Sequence, residues 1–252
     1  VAGLHAWRML KGKEVDFHRK AFKIAAIFGF VAAFLQPISG DISAKSVAER
    51  QPAKLAAMEA HFHTEKGAGL LIGGIPNEET KEVEYGIKIP GMLSFLAHHD
   101  FGAEVKGLDQ IPEDEQPPVT ILHFAFQIMV AAGFAMMGLA ILYFFFNKTK
   151  RKALDRKWFL RIMALATPLG YIALEAGWTV TEVGRQPWIM YGYMRTSEAL
   201  TPMPGIQYSF YMFTVLYLVL SLLVSFLLIR QIRAIENPLK YPQVSPAKPQ
   251  QA

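Results

Sequence analysis

Four long apolar runs constrain this chain more than any other feature of its sequence. They cover residues 21–40, 119–146, 158–180 and 206–229. A helix needs about 20 predominantly apolar residues to cross the hydrocarbon core of a bilayer, whereas globular helices average about 11 residues. The runs therefore predict an all-α integral membrane protein with four complete transmembrane helices. A soluble bundle containing four such helices is the less favoured alternative.

The distribution of basic residues predicts the orientation of these spans. Residues 8–20, residues 147–157 and the tail from Arg230 are rich in Lys and Arg, whereas residues 41–118 hold seven Lys and Arg against fourteen Asp and Glu. Residues 179–205 hold two of each sign. By the positive-inside rule the basic segments are cytoplasmic and the other two lie on the outer face. The formal net charge of +5 is an orientation signal, and no clustered basic surface indicates a nucleic-acid partner.

The ends of the spans divide the chain into four parts. Residues 1–40 are expected to contain a truncated helix, a cytoplasmic loop and the first full span, because the chain starts without Met or a leader pattern. Residues 41–118 form an external loop, residues 119–230 contain three spans, and residues 231–252 are a cytoplasmic tail. The sequence contains no cysteine, so a redox centre here would use His, Met, Tyr, Glu or an organic cofactor.

The external segment is too long for a simple connection, and its apolar clusters predict a folded lobe. Residues 51–63 within it are typical of a short amphipathic helix. On such a helix Lys54 and Glu59 would point about 140° apart, so they are not expected to pair with each other. Two interpretations stay open: two solvated charges, or a polar ligand held from both sides at the membrane surface. The four histidines at 61, 63, 98 and 99 lack the spacing of a metal site.

Polar residues also occur inside the apolar runs. On a regular helix Glu175, Trp178, Glu182 and Arg185 fall within about 80° of arc. A charged residue at the centre of a bilayer costs roughly 2.5–3.5 kcal/mol, so this face is expected to meet a bundle interior, a cavity or a metal. An interfacial salt bridge between Glu182 and Arg185 and a preorganised charged pocket both fit the pattern.

The second long run carries a further set of polar residues. His123 and Gln127 are four residues apart and share a helical face, whereas Met129 points elsewhere. A lone methionine in an apolar helix is usually core filler.

Three blocks of sequence resemble one family. The stretch GWTVTEVGRQPW, residues 177–188, resembles the GWxxxExGRQPW signature of subunit I of cytochrome bd-type quinol oxidases. KLAAMEA, residues 54–60, resembles the start of that family's external quinol-binding loop, and FAFQIMVAAGF, residues 124–134, resembles the helix that carries a haem-ligating Met. The resemblance covers the whole chain but only the C-terminal half of the family's subunit I, and the compact loop is similar to that of short-loop members.

The resemblance implies a function and a set of site residues. The family oxidises quinol and passes electrons through two b haems and one d haem to dioxygen, which is reduced to water. Lys54 and Glu59 would form the catalytic quinol site. Met129 would ligate the iron of the low-spin b haem, and Glu182 would ligate the iron of the high-spin b haem.

The resemblance also implies cofactor-binding neighbours and partners. Trp178 and Arg185 would lie close to the haems, with the guanidinium suited to propionate carboxylates. Gln127 stands where long-loop members carry an arginine two residues before the ligand Met, so it is grouped with the cofactor-binding residues. Glu175 and His123 receive no role. Expected partners are membrane lipid, quinol, oxidase subunit II and the N-terminal half of subunit I, in a bacterial or archaeal cytoplasmic membrane.

Two other functions are compatible with parts of the sequence. A half-length membrane protein could bind quinone or haem, or scaffold an oxidase assembly, without catalysis. A transporter with a charged pore is the weaker alternative, because no internal repeat is visible in the sequence.

Overall fold

The structure, a computed structural model, describes residues 1–148 and 153–236. Its described part is dominated by helices: α1 (Ala2–Leu10), α2 (Val15–Arg50), α3 (Pro52–Met58), α4 (Met92–His98), α5 (Val119–Lys148), α6 (Lys157–Leu165), α7 (Leu169–Val183) and α8 (Ile206–Glu236). Four stretches are long and apolar enough to cross a membrane: Val15–Arg50, Val119–Lys148, Lys157–Val183 and Ile206–Arg233. These findings confirm the predicted all-α fold class with four spans. The expected tail from 237 onward and the basic residues 149–152 lie outside the described residues.

Helix α2 is longer than the apolar run that predicts it. It contains 36 residues and passes through Pro37 without ending. A helix of that length measures about 54 Å, against about 30 Å for the hydrocarbon core. The first ten residues of the segment 41–118, expected as loop, are therefore the last turns of α2.

The third predicted span consists of two helices instead of one. Helix α6 ends at Leu165 and α7 begins at Leu169, with Pro168 at the N-cap of α7. Proline has no backbone N–H to continue the α6 hydrogen-bond ladder. The Thr167 hydroxyl donates to the Ala164 carbonyl oxygen at 2.6 Å and so satisfies one carbonyl at the end of α6.

Two apolar cores lie near opposite ends of α5. One contains Phe22 of α2, Tyr143 of α5 and Phe159 of α6, with the Phe22 and Tyr143 ring centroids 5.3 Å apart. The other joins the segment after α2 to Leu122 of α5 and Val180 of α7. Leu122 and Tyr143 are about 32 Å apart along the helix axis. Helix α5 therefore connects the helical bundle with the folded segment beyond it.

That segment, residues 51–118, is called the lobe. Its strands are β1 (Glu65–Lys66), β2 (Leu70–Ile72), β3 (Ile75–Asn77), β4 (Glu82–Glu84), β5 (Ile87–Ile89) and β6 (Glu104–Val105). They form three antiparallel pairs, β1 with β6, β2 with β5 and β3 with β4. Leu55, Met58, Leu93 and Leu108 are buried beneath them. The lobe is thus folded, as its apolar clusters predict, and it packs on the N-terminal part of α5.

The chain separates into two compact units, residues 1–199 and 200–252. The first includes a last strand pair, β7 (Trp188–Met190) and β8 (Met194–Arg195), directly after α7. Helix α8 belongs to the second unit, and its most apolar window has a mean hydropathy of 2.6. Such uniform apolarity is typical of a helix surrounded by lipid or by other spans.

Candidate functional site

Glu59 is the most unusual ionisable residue of the lobe. It lies at the C-cap of α3, where the chain turns, and the residue is 4% exposed. Within the described residues its Oε2 atom has no hydrogen-bond partner. Burial raises the pKa of the Glu59 carboxyl to about 8, because the protein interior disfavours the charged form. At neutral pH Glu59 is therefore a neutral acid, which excludes the interpretation of this residue as a solvated charge.

The turn at Glu59 comes from an early end to α3. The predicted helix over 51–63 is observed only over Pro52–Met58, and Ala60 adopts a left-handed φ of 48°. The His61 amide donates to the Ala56 carbonyl oxygen at 2.7 Å and closes the turn. Glu59 precedes this turn, and its own amide still donates to the Leu55 carbonyl oxygen at 3.1 Å. Its direction therefore continues that of α3, and the turn at Ala60 changes only the course of the chain beyond it.

Lys54 of α3 lies beside the end of α7. Its side chain is half-buried. Burial lowers the pKa of the Lys54 ammonium, the positive charge of Arg185 lowers it further, and the Glu182 carboxylate opposes both effects. The structure therefore brings the predicted quinol-site lysine close to Glu182 and Arg185, the two charged residues of the stretch 177–188.

Gly184 makes that approach feasible. A Cβ atom built on Gly184 would lie 3.0 Å from Lys54 Cε and 3.1 Å from Leu122 Cδ1. A side chain at residue 184 would therefore collide with α3 from one side and with α5 from the other. The lobe, α5 and α7 converge at this glycine.

Glu182 and Arg185 form a salt bridge at the end of α7. Glu182 lies in the last turn, Gly184 is the C-cap, and Arg185 follows the helix and donates to Glu182 Oε2. Both side chains are partly exposed, at 39% and 43%. The sequence predicts one helical face for all four polar residues of this stretch, but Arg185 lies beyond the helix. The salt-bridge interpretation is therefore realised, and the partial exposure leaves Glu182 accessible.

The structure also locates the two other polar residues of that stretch. Glu175 and Trp178 lie on α7, and both are exposed; Trp178 is 63% exposed. The sequence assigned no role to Glu175. Its backbone carbonyl accepts the Thr179 hydroxyl at 2.9 Å.

Met129 lies where α5 meets α7. Its sulfur would be 3.1 Å from a Cβ atom on Gly177, the residue before Trp178. The side chain is half-buried. A Cβ on Gly133, four residues further along α5, would have no described atom within 4 Å. The Met129 thioether therefore lies beside Gly177 of α7. One turn further along α5, the surface around Gly133 is open.

Gln127 forms hydrogen bonds with the lobe. The resemblance groups it with the cofactor-binding residues, which stays a prediction; its Nε2 donates to the Leu71 carbonyl oxygen at 2.9 Å and its Oε1 accepts from the Gly73 amide at 3.2 Å. Residues two apart on a helix point about 160° away from each other. Gln127 therefore faces the lobe, whereas Met129 faces α7.

His123, which has no role in the sequence analysis above, is completely buried at 0% exposure. Its Nδ1 lies 2.9 Å from the Met58 carbonyl oxygen, and its Nε2 lies 3.3 Å from the Gly73 carbonyl oxygen. The sequence contained one indication of these contacts, namely that His123 and Gln127 are polar residues four apart in an apolar helix. The sequence did not identify the partners, because they are backbone carbonyls of Met58 in α3 and of Gly73 after β2.

The strand pair after α7 is joined to the end of the lobe. The Arg195 guanidinium lies 5.2 Å from the centre of the Trp188 ring and donates to Asp114 at 2.8 Å. The Thr196 hydroxyl donates to Gln186 Oε1 at 2.8 Å. These contacts fix the GRQPW segment beside the lobe.

The lobe contains four histidines, at 61, 63, 98 and 99. In the described part of the chain no group of three His, Asp or Glu residues is placed to hold a metal ion. His61 is buried, and its Nε2 lies 3.2 Å from the Val105 carbonyl oxygen. This contact gives His61 a structural role in the lobe.

Comparisons with known proteins agree with one another. The sequence profile of the family described as cytochrome bd terminal oxidase subunit I matches residues 1–236. A Bacillus subtilis (strain 168) protein named for a cytochrome bd menaquinol oxidase subunit I is 36% identical over 237 residues, covering 92% of this chain and 53% of the relative. Cytochrome bd ubiquinol oxidase subunit 1 of the same organism is 34% identical over 247 residues, covering 92% and 52%.

A solved structure gives the same result. The bd oxidase from Geobacillus thermodenitrificans matches with a TM-score of 0.82 and 40% identity, over 92% of this chain and 54% of that chain. The present chain thus spans about half the length of the relatives it matches.

Proposed function

Because this chain belongs to the cytochrome bd terminal oxidase subunit I family, we propose that it is part of a membrane enzyme that oxidises quinol and reduces dioxygen to water. The observation that carries the proposal is the buried carboxyl of Glu59, whose Oε2 has no hydrogen-bond partner within the described residues. A buried polar atom without a partner is costly, so such an atom points to a ligand or to a catalytic role.

The proposed quinol site consists of Glu59 and Lys54. The neutral Glu59 carboxyl donates a hydrogen bond to one oxygen of the quinol ring, and the Lys54 ammonium donates a second. Oxidation of the quinol releases two protons with the two electrons. A carboxyl with a pKa of about 8 exchanges protons readily near neutral pH. Glu59 is therefore suited to receive a substrate proton once its own has left.

The residues of α5 and α7 fit the haems that the family implies. A methionine thioether is an established axial ligand of haem iron, and the Met129 sulfur lies against Gly177, where a larger residue would displace it. In our proposal Met129 holds the iron of a low-spin b haem and Glu182 that of a high-spin b haem. When bound, these haems would supply one-electron carriers between quinol and dioxygen.

Arg185 and Trp178 would support those haems. The Arg185 guanidinium already orients the Glu182 carboxylate, and its planar set of donors also matches a propionate. The exposed Trp178 ring on α7 offers a flat apolar surface to a macrocycle. A d haem and the dioxygen site would need residues outside this chain.

The proposed assembly places the chain in a bacterial or archaeal cytoplasmic membrane. The other half of subunit I, oxidase subunit II and lipid would cover its apolar helices. The charge distribution supports an outer position for the lobe, because basic residues concentrate on the other side of the spans.

The experiment compares two electron donors in the complete oxidase. Glu59→Gln and Lys54→Ala should lower the rate with quinol strongly and leave the rate with an artificial donor that bypasses the lobe close to normal. Glu79→Gln, which alters an exposed carboxyl of the lobe, is the matched control and should change neither rate. Equal losses with both donors would refute the quinol-site assignment.

The haem assignment has its own test. Met129→Leu keeps the size and apolarity of the side chain but removes the sulfur ligand. The absorption bands of the low-spin b haem should be lost, while those of the other haems remain. Survival of the low-spin bands in this variant would exclude Met129 as the ligand.

A further inference from the structure

Two side chains of α5 bind backbone groups of the lobe. His123 Nδ1–H donates to the Met58 carbonyl oxygen at 2.9 Å, Gln127 Nε2 donates to the Leu71 carbonyl oxygen at 2.9 Å, and the Gly73 amide donates to Gln127 Oε1 at 3.2 Å. We call this set of contacts the latch. The Nε2 atom of His123 also lies 3.3 Å from the Gly73 carbonyl oxygen, which is the longer of its two contacts.

The latch holds the lobe at two places. Met58 is the last residue of α3 and directly precedes Glu59. Leu71 lies in β2, and Gly73 follows that strand at a φ of 68°. His123 therefore fixes the end of the helix that bears Lys54, and Gln127 fixes the turn between β2 and β3. Both anchors are on one face of one helix.

Apolar packing alone would not give this precision. Leu122 and Ala125 of α5 are buried against the lobe, but apolar contact is non-directional and tolerates small shifts. Hydrogen bonds require short distances and near-linear geometry. His123 is fully buried, so a loss of its partner would leave a polar group in an apolar core. The latch therefore holds the lobe at one position along α5.

We propose that His123 and Gln127 are positioning residues for quinol oxidation. They hold the part of the lobe that carries Glu59 and Lys54 at a fixed position relative to α5. They act through the backbone of the lobe and do not touch the substrate. Gln127 and Met129 point to opposite sides of α5, so the latch acts on the quinol site and leaves the Met129 surroundings unchanged. The effect on quinol oxidation rests on the proposed function, whereas the hydrogen bonds of the latch do not depend on it.

The experiment measures hydrogen exchange and kinetics on the same complete oxidase. In Gln127→Leu the Gly73 amide loses its acceptor, so residues 70–74 should exchange roughly tenfold faster. The KM for quinol should rise, while kcat and the rate with the bypassing donor stay unchanged. His123→Ala should raise the KM for quinol in the same way, with its faster exchange at the end of α3, which the contact with Met58 fixes. His123→Asn, which keeps an N–H close to the position of Nδ1, should restore part of the effect.

Gln116→Leu is the matched control. Gln116 Nε2 also donates to two backbone carbonyls of the lobe, Leu108 at 3.0 Å and Ile111 at 2.8 Å, but all of these residues belong to the lobe. This variant loosens the lobe without releasing it from α5. It should speed local exchange around residues 108–116 and leave the KM for quinol near the wild-type value.

Each other outcome overturns the inference. Unchanged exchange at residues 70–74 in Gln127→Leu would show that the latch does not hold the lobe. Faster exchange with an unchanged KM would show that it holds the lobe without positioning the site. A change in the low-spin haem spectrum would assign Gln127 to the haem. Exchange needs no turnover, so a failure of the proposed quinol chemistry appears separately, in the Glu59→Gln variant.

Discussion

The pH dependence of Glu59 gives a quantitative test of its burial. An exposed glutamate carboxyl has a pKa of 4.5, and burial raises that of Glu59 to about 8. Between these values the folded lobe keeps a proton that the opened chain releases. The contribution of the protonated carboxyl to stability is therefore complete below pH 4.5 and is lost progressively as the pH rises to about 8. The full difference of about 3.5 units corresponds to about 5 kcal/mol.

Glu59→Gln removes this dependence, because an amide of the same shape does not titrate. Hydrogen exchange of the α3 amides should be measured in both proteins at several pH values, and the ratio of protection taken at each. In this ratio the intrinsic effect of pH on exchange cancels. Between about pH 5.5 and about pH 7.5 the protection of the wild-type protein relative to the variant should fall roughly 50- to 100-fold.

Glu79→Gln changes an exposed carboxyl of the lobe, and its ratio to wild type should stay flat over the same range. A ratio that is also flat for Glu59→Gln would mean that Glu59 titrates like an exposed group. The assignment of Glu59 as a neutral acid would then be wrong, and its proposed proton exchange with quinol would lose its basis.

Two further predictions concern α7. Gly177→Ala would bring a Cβ within 3.1 Å of the Met129 sulfur, so the sulfur must move by a few tenths of an ångström and the midpoint potential of the low-spin haem should shift; Gly170→Ala, whose Cβ meets no described atom within 4 Å, should not shift it. Arg185→Leu removes the donor to Glu182 and should alter the high-spin haem spectrum more than Arg185→Lys, which retains a cation but not the planar set of donors.

The sequence predicted the elements whose signal is local. Four apolar runs were sufficient for the four spans, because a bilayer imposes both the length and the composition of a spanning helix. The ends of those helices were harder to place. Residues 41–50 are polar enough to suggest a loop, yet they continue α2, since a helix that leaves the lipid can keep its own hydrogen bonds in water.

The sequence predicted those parts of the candidate site that depend on the spacing of side chains, but not those that depend on backbone turns and short strands. The spacing of Glu182 and Arg185 was compatible with a salt bridge or with a charged pocket, and the structure contains the salt bridge. The sequence predicted the directions of Lys54 and Glu59 from a regular helix over 51–63, but it did not predict that this helix ends at Met58, before the left-handed backbone of Ala60. The strand pairs of the lobe were also missed, because strands of two or three residues leave no alternating pattern.

The contacts of Gln127 were beyond sequence reasoning for a different reason. Both of its partners are backbone groups more than 50 residues away, and every residue except proline offers the same backbone donor and acceptor. The resemblance grouped Gln127 with the cofactor-binding residues because it stands where long-loop members carry an arginine, two residues before Met129. Helix geometry separates the two residues, because a step of two residues turns the side chain to the other side.

Helix α5 holds the lobe through His123 and Gln127 and meets α7 through Met129. A single residue inserted between Gln127 and Met129 would rotate everything beyond it by about 100° and advance it by about 1.5 Å. No substitution could then restore the contact of Gln127 with the lobe and the contact of Met129 with α7 at the same time, because their relative angle around the helix axis would have changed. The count of residues between them is therefore as much a part of the site as their chemistry, whereas an insertion at the exposed residues 79–80 would leave that phase intact.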